Sequence, residues 1–247
     1  MTDTQTSEEE LADIVEAAFS PADERDERFR TEQAAARERA AREFIITKQH
    51  RRFAEFCDAV RRDRYIGLCY GPPGVGKTLS ARRYTHWDII GPYLDHWRYL
   101  EYEDAPPEML EHKAILYTPK IHNTPRIVDK DLCFWHDRLS WTVEGHLHHG
   151  HNPVDLVQSC GPYAELLIVD EADRLKTPSL EAPRDHHDRT GIGLILIGMP
   201  GIERGLARYP QLYSRVGFLH HYQPPAAAQQ PAWRQLNADP PGDGDHR

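Results

Sequence analysis

Cysteine is scarce in this 247-residue chain. Cys57, Cys69, Cys133 and Cys160 stand far apart and form no C-x-x-C pair. A disulfide scaffold and a zinc ribbon are thereby excluded, and a reducing, cytoplasmic setting is expected. Long apolar runs are missing too. No stretch reaches the roughly 18 residues that a membrane-spanning helix needs. The first residues, Met-Thr-Asp-Thr, lead into acids rather than a basic start and an apolar core, so no secretory leader is expected. A net basic charge is absent as well, since the formal charge is −9. Read globally, that argues against a nucleic-acid partner.

The charge is unevenly spread. Residues 1–27 carry ten acids and one arginine, and residues 28–247 carry 29 of each sign. The first segment reads as an acidic, disordered tail. Residues 28–64 contain Arg28, Arg30, Arg37, Arg39, Arg42, Lys48, Arg51, Arg52, Arg61, Arg62 and Arg64. Alanine and charged residues favour helix over 31–43. Phe44, Ile45, His50, Phe53, Phe56, Cys57 and Val60 then recur at helical spacing, which predicts one buried face. Its arginines are either a solvated face or a DNA contact.

The core is expected over 65–222. Short apolar runs at 65–70, 114–118, 164–169 and 192–197 read as buried strands. Helices are expected at 77–87, at 127–142 with Val128, Leu132, Trp135 and Leu139 on one face, after Thr177 as N-cap, and at 201–209. Pro92, Pro106 and Pro107 mark 88–113 as irregular, and Pro183 is expected to kink or end its helix. Alternating strands and helices predict an α/β fold with a parallel sheet. From residue 223 the chain holds five prolines and little that can pack, and it reads as disordered.

Between the first strand and the first core helix lies Gly71-Pro72-Pro73-Gly74-Val75-Gly76-Lys77-Thr78, followed by Leu79. This is G-x-x-x-x-G-K-[ST], the phosphate loop of nucleotide-binding proteins. Its glycines let backbone N–H groups turn towards phosphate oxygens, and the helix N-terminus adds a positive dipole end. Lys77 would reach the β- and γ-phosphates of ATP, and the Thr78 hydroxyl would ligate Mg²⁺. The run Leu166-Leu-Ile-Val-Asp170-Glu171 supplies the complementary acids. Asp170 would hold Mg²⁺ through water, and Glu171 would act as general base on the attacking water. Lys77 and Asp170 are 93 positions apart, which implies an insertion within 88–113 or 140–163. The tetrad Asp170-Glu171-Ala172-Asp173 also spells a helicase signature, but the chain after it is too short for a second helicase domain.

These motifs, with Leu194–Ile197 followed by Gly198-Met199-Pro200-Gly201 and with Gln211-Leu-Tyr-Ser-Arg215-Val, resemble an AAA+ ATPase. The runs "YGPPGVGKTLSARRY", "LLIVDEADRLKTPSLE" and "LYSRVGF" resemble more narrowly the transposition helpers of the TniB and phage Mu B type, over about residues 45–222. The resemblance implies a P-loop NTPase sheet, homo-oligomers with ATP between subunits, and sequence-independent assembly on double-stranded DNA with a transposase or other recombination partner. It casts Arg215 as an arginine finger acting on the neighbouring subunit; the plainer reading is a surface salt bridge. The sequence departs from the pattern at Gly198 and Met199, where a polar first sensor is expected. It departs at Pro183, and after Tyr222, where a helical lid is expected. A binding platform with little turnover is therefore the alternative function, and a small-molecule kinase is a third. The histidines His146, His148, His149 and His151 cluster beside Gly145, Gly150 and Pro153 and read as a polar loop rather than a metal site, with further pairs at His186/His187 and His220/His221.

Overall fold

The computed structural model describes residues 44–96, 105–147 and 163–224, together with 28, 31, 32, 34, 35 and 38. The acidic segment 1–27, most of the arginines before 44, Cys160, the histidines 148, 149 and 151, and the tail from 225 lie outside the described residues.

Five parallel strands form one sheet in the order β2-β3-β4-β1-β5. They are β1 (Ile66–Tyr70), β2 (Ala114–Tyr117), β3 (Leu166–Val169), β4 (Gly193–Gly198) and β5 (Val216–His221). The register pairs Ile66 with Leu194, Leu166 with Gly193 and Ala114 with Leu166. Alternate residues of one strand enter different cores. Ile66, Leu68, Leu194 and Leu196 face one layer, and Cys69, Ile195 and Ile197 face the other. Burial on both faces explains why the central strands are unbroken apolar runs rather than alternating ones.

Two helices cover the second layer. The first, α1 (Lys48–Asp63), starts where the Thr47 hydroxyl accepts a hydrogen bond from the His50 N–H at 3.1 Å. That N-cap shortens the expected helical stretch. Phe44 and Ile45 precede the helix, and Ile45 is exposed, whereas Phe53, Phe56, Cys57 and Val60 are buried. Beside it lies α2 (Lys77–Thr85), with Ala81 and Tyr84 buried in the same layer. The opposite layer is built by α3 (Trp87–His96), the short α4 (Met109–His112), α5 (Pro125–Leu147) and α6 (Thr177–Thr190). Two short helices, α7 (Ile202–Leu206) and α8 (Pro210–Tyr213), lead from β4 to β5.

Three expectations need correction. Residues 88–113 are not irregular throughout, because Pro92 sits inside α3. A proline within a helix costs about 3 kcal/mol. Ile90, Tyr93 and Leu94 are buried on that helix, and each contributes about 1.5–3 kcal/mol, so packing wins. Pro183 likewise does not end α6, which runs to Thr190 with Leu180, Ala182 and His186 buried. That helix begins at Thr177, with Lys176 rather than Thr177 in the N-cap position. The fifth strand, β5, was not expected at all. Its glycine, its two histidines and its alternation of half-buried and exposed positions hide it among loop-like residues.

Where α5 meets α6, His136 and His186 are both buried, with Nδ1 of the former 3.1 Å from Nε2 of the latter. Burial, then the charges of His136 and Arg189, push the His186 imidazole down from 6.5 to about 4. The unfolded chain therefore binds one more proton than the folded chain between these values, and stability falls as pH falls through that window. At about 1.4 kcal/mol per pH unit, the expected loss is about 3 kcal/mol. Urea midpoints measured between neutral pH and pH 4 should fall steeply for the parent and less steeply for His186→Gln. Parallel loss in both would refute this origin.

Candidate functional site

The parallel sheet places the ends of β1, β3 and β4 side by side. Residues 71–76 leave β1 and deliver the chain into α2. The first glycine is required by a close approach. A Cβ on Gly71 would lie 2.2 Å from the carbonyl oxygen of Tyr222. Tyr222 also donates its backbone N–H to the Tyr70 carbonyl at 2.8 Å. Its hydroxyl meets the Ser80 hydroxyl at 2.8 Å beneath the loop. No motif marks Tyr222, yet it supports both the entry to the loop and the helix leaving it.

Within the loop, the Lys77 ammonium donates to the carbonyls of Gly71 at 2.6 Å and Pro72 at 2.8 Å. Burial lowers its pKa from the ordinary lysine value, against the opposing pull of Cys69, Asp170 and Asp173. Thr78 and Leu79 lie in the first turn of α2, where Leu79 is exposed. Thr78 also lines a cavity of about 590 Å³ bounded by Arg82, Trp87, Tyr117, Lys120 and Trp135.

The acid pair follows β3, separated from β1 by β4. Asp170 is buried, and its Oδ1 accepts the N–H of Glu171 at 2.9 Å. Glu171 takes a left-handed backbone conformation with φ 51°. Its carboxylate is ion-paired with Arg174, whose Nη1 also donates to the Pro119 carbonyl at 3.1 Å. The candidate base is thus held by a cation three residues along the chain. Asp173 reaches across to β4, where its Oδ2 accepts the Met199 N–H at 2.7 Å. A Cβ on Gly198 would come within 2.8 Å of that same oxygen and 2.4 Å of Ile202 Cδ1. The close packing explains why the residue ending β4 has no side chain to offer a phosphate.

Arg215 is not brought to this group. It precedes β5, and its carbonyl accepts the Ile66 N–H at 3.3 Å, at the start of β1. The loop leaves the other end of β1. A five-residue strand rising about 3.3 Å per residue separates them by roughly 15 Å. The Arg215 guanidinium is 3.0 Å from Asp188, so the salt-bridge reading describes it within one chain.

Among the arginines before the core, Arg61 pairs with Asp58 and Glu165, Arg62 pairs with Asp63, and Arg64 donates to the Glu165 carbonyl. Lys48, Arg51 and Arg52 are exposed on α1 and have no carboxylate partner among the described residues. No helix among the described residues is long and apolar enough to cross a membrane.

Comparison with known proteins identifies the family. A family model described as an AAA domain matches residues 60–206, from the end of α1 through β4 to the end of α7. A Staphylococcus aureus protein described as a potential ATP-binding protein is 43% identical over 183 residues, which is 72% of this chain and 67% of that protein. Among solved structures, the Aeropyrum pernix ORC1 protein in complex with DNA aligns at 16% identity and a TM-score of 0.43, covering 75% of this chain. C. elegans PCH-2 aligns at 14% identity and a TM-score of 0.34, covering 72% of this chain. The chain spans less than half the length of either, 47% and 42%. Matched by that model over more than half its length, with the phosphate loop and the acid pair at the same end of one parallel sheet, the chain belongs to the AAA domain family.

Proposed function

We propose that this protein binds ATP with Mg²⁺ and hydrolyses it while assembling on DNA, as a transposition helper does. The observation that carries the nucleotide reading is the convergence of Lys77, Thr78, Asp170 and Glu171 at the ends of β1 and β3. Phosphate oxygens would compete with the Gly71 and Pro72 carbonyls for the Lys77 ammonium. Thr78 and Asp170 would hold Mg²⁺, which supplies charge neutralisation when bound. Glu171 would accept a proton from water once freed from Arg174. Arg215, far from its own loop, would serve a neighbouring subunit's phosphate in a homo-oligomer.

The Glu171–Arg174 ion pair favours a second reading, a nucleotide-dependent platform with little turnover. The small, apolar end of β4 supports it too. The cavity beside Thr78 suits a phosphoryl acceptor, so ADP and free phosphate should be measured together. Equal amounts support hydrolysis; a phosphate deficit supports transfer.

Three outcomes are expected. Lys77→Ala abolishes ATP binding, measured with a fluorescent nucleotide. Glu171→Gln keeps binding but lowers turnover about 100-fold or more, the scale of a general base. Arg174→Ala raises turnover if the ion pair restrains the base, and unchanged turnover would show the pair to be inert. For DNA, replacing Arg51 and Arg52 with alanine should weaken binding uniformly across sequences. The salt slope should fall by about one for each phosphate no longer neutralised. Arg62→Ala should do less, because Asp63 already holds that guanidinium. Binding that ignores salt would remove DNA from the proposal.

A further inference from the structure

At the end of the sheet away from the phosphate loop, three side chains bring metal-binding atoms together. His86 follows the last residue of α2, and Glu111 and His112 close α4 just before β2. One donor atom from each lies within 4.8 Å of the other two. His86 Nε2 is 3.1 Å from Glu111 Oε2. In a tetrahedral zinc site with bonds of about 2.0–2.1 Å, neighbouring ligands are about 3.3 Å apart. The pair therefore already stands at the spacing of one tetrahedral edge.

The third side chain has its tautomer set. His112 Nδ1 is 2.8 Å from the Tyr84 carbonyl. A carbonyl only accepts, so Nδ1 carries the proton and Nε2 keeps its lone pair. Ligating histidines commonly donate their second ring nitrogen in this way, which fixes tautomer and ring orientation. The ring is further held by stacking on Tyr84, with centroids 4.2 Å apart. It also lies nearly parallel to the His86 ring, at 12°. The arginine whose charge bears on His112 is Arg61, which donates to the Glu111 backbone carbonyl and is itself paired with Asp58 and Glu165. Its charge is thereby offset before it can oppose a metal ion.

We propose that His86, Glu111 and His112 bind a divalent metal of the zinc class, with the fourth position taken by water. Two imidazoles and one carboxylate suit zinc and related ions, and they do not suit Mg²⁺, which prefers oxygen ligands alone. The ion would join the C-terminal end of the phosphate-loop helix to the start of β2, across 25 residues of chain. The site is independent of the nucleotide reading.

The test uses the full chain, purified without a histidine tag and stripped with a chelator. Zn²⁺ is titrated against a chromophoric competitor, in the presence of excess Mg²⁺. One tight equivalent is expected. Glu111→Gln, a shape-conserving change at a largely exposed side chain, should lower the affinity at least about 10-fold, and His112→Gln should do the same. Zn²⁺ should also raise the Tm of the parent but not of Glu111→Gln, whose Tm without metal reports that it is folded. Replacing His146, His148, His149 and His151 together with alanine should leave the tight equivalent intact. If that fourfold variant loses the zinc instead, or if Glu111→Gln and His112→Gln both keep it, the proposed site is wrong.

Discussion

The nucleotide site depends on how closely the chain passes itself at Gly71. The carbonyl of Tyr222 occupies the space where a Cβ would stand, and the same residue bonds to Tyr70 with its amide and to Ser80 with its hydroxyl. One residue therefore ties the last strand to the strand before the loop and to the helix after it. The tight loop is held by this clamp and by the parallel ladder of β1 with β4 and β5. Remove the close approach, and neither the direction of α2 nor the reach of Lys77 is defined.

The acids are fixed by a second set of contacts. Buried Asp170 caps the amide of Glu171, while Asp173 holds the amide of Met199 on the neighbouring strand. The turn after β3 is thus fastened to the end of β4. Glu171 alone keeps a choice of partner, because its left-handed backbone points its carboxylate to Arg174 at the surface. Glu171, the proposed general base, is held by a single exposed ion pair that hydrolysis would require it to leave.

Much of this was legible in the residues. The phosphate loop and the Asp170-Glu171 pair carry unusual spacing and sit against buried apolar runs, so four of the five strands, and the end of the sheet where both motifs stand, could be read directly. What escaped depends on tertiary contact. Pro92 and Pro183 look like breakers, and only the burial of their neighbours keeps those helices whole. β5 is half exposed at the sheet edge and contains Gly217 and two histidines, so no local pattern distinguishes it from a turn. Tyr222, Arg174 and the His86–Glu111–His112 group carry no motif, and they matter only because distant segments meet there. The histidines at 146–151 are dense along the chain, whereas the group that gathers donors in space is split between the C-cap of α2 and the short α4.

Arg215 and the phosphate loop occupy opposite ends of the same pair of strands. A two-fold dimer that joined them would have to gather both ends into one self-complementary patch, so that each copy's arginine met the other's loop. Without such a patch, a contact that put one subunit's Arg215 at another's loop would join unlike surfaces. Such an interface leaves one end of every assembly unsatisfied unless it closes on itself. Assembly through the proposed Arg215 contact would then close as a ring or continue as a helical filament, and the rotation between neighbours would decide which. A filament of that kind would have a direction, with an arginine exposed at one tip and a nucleotide at the other.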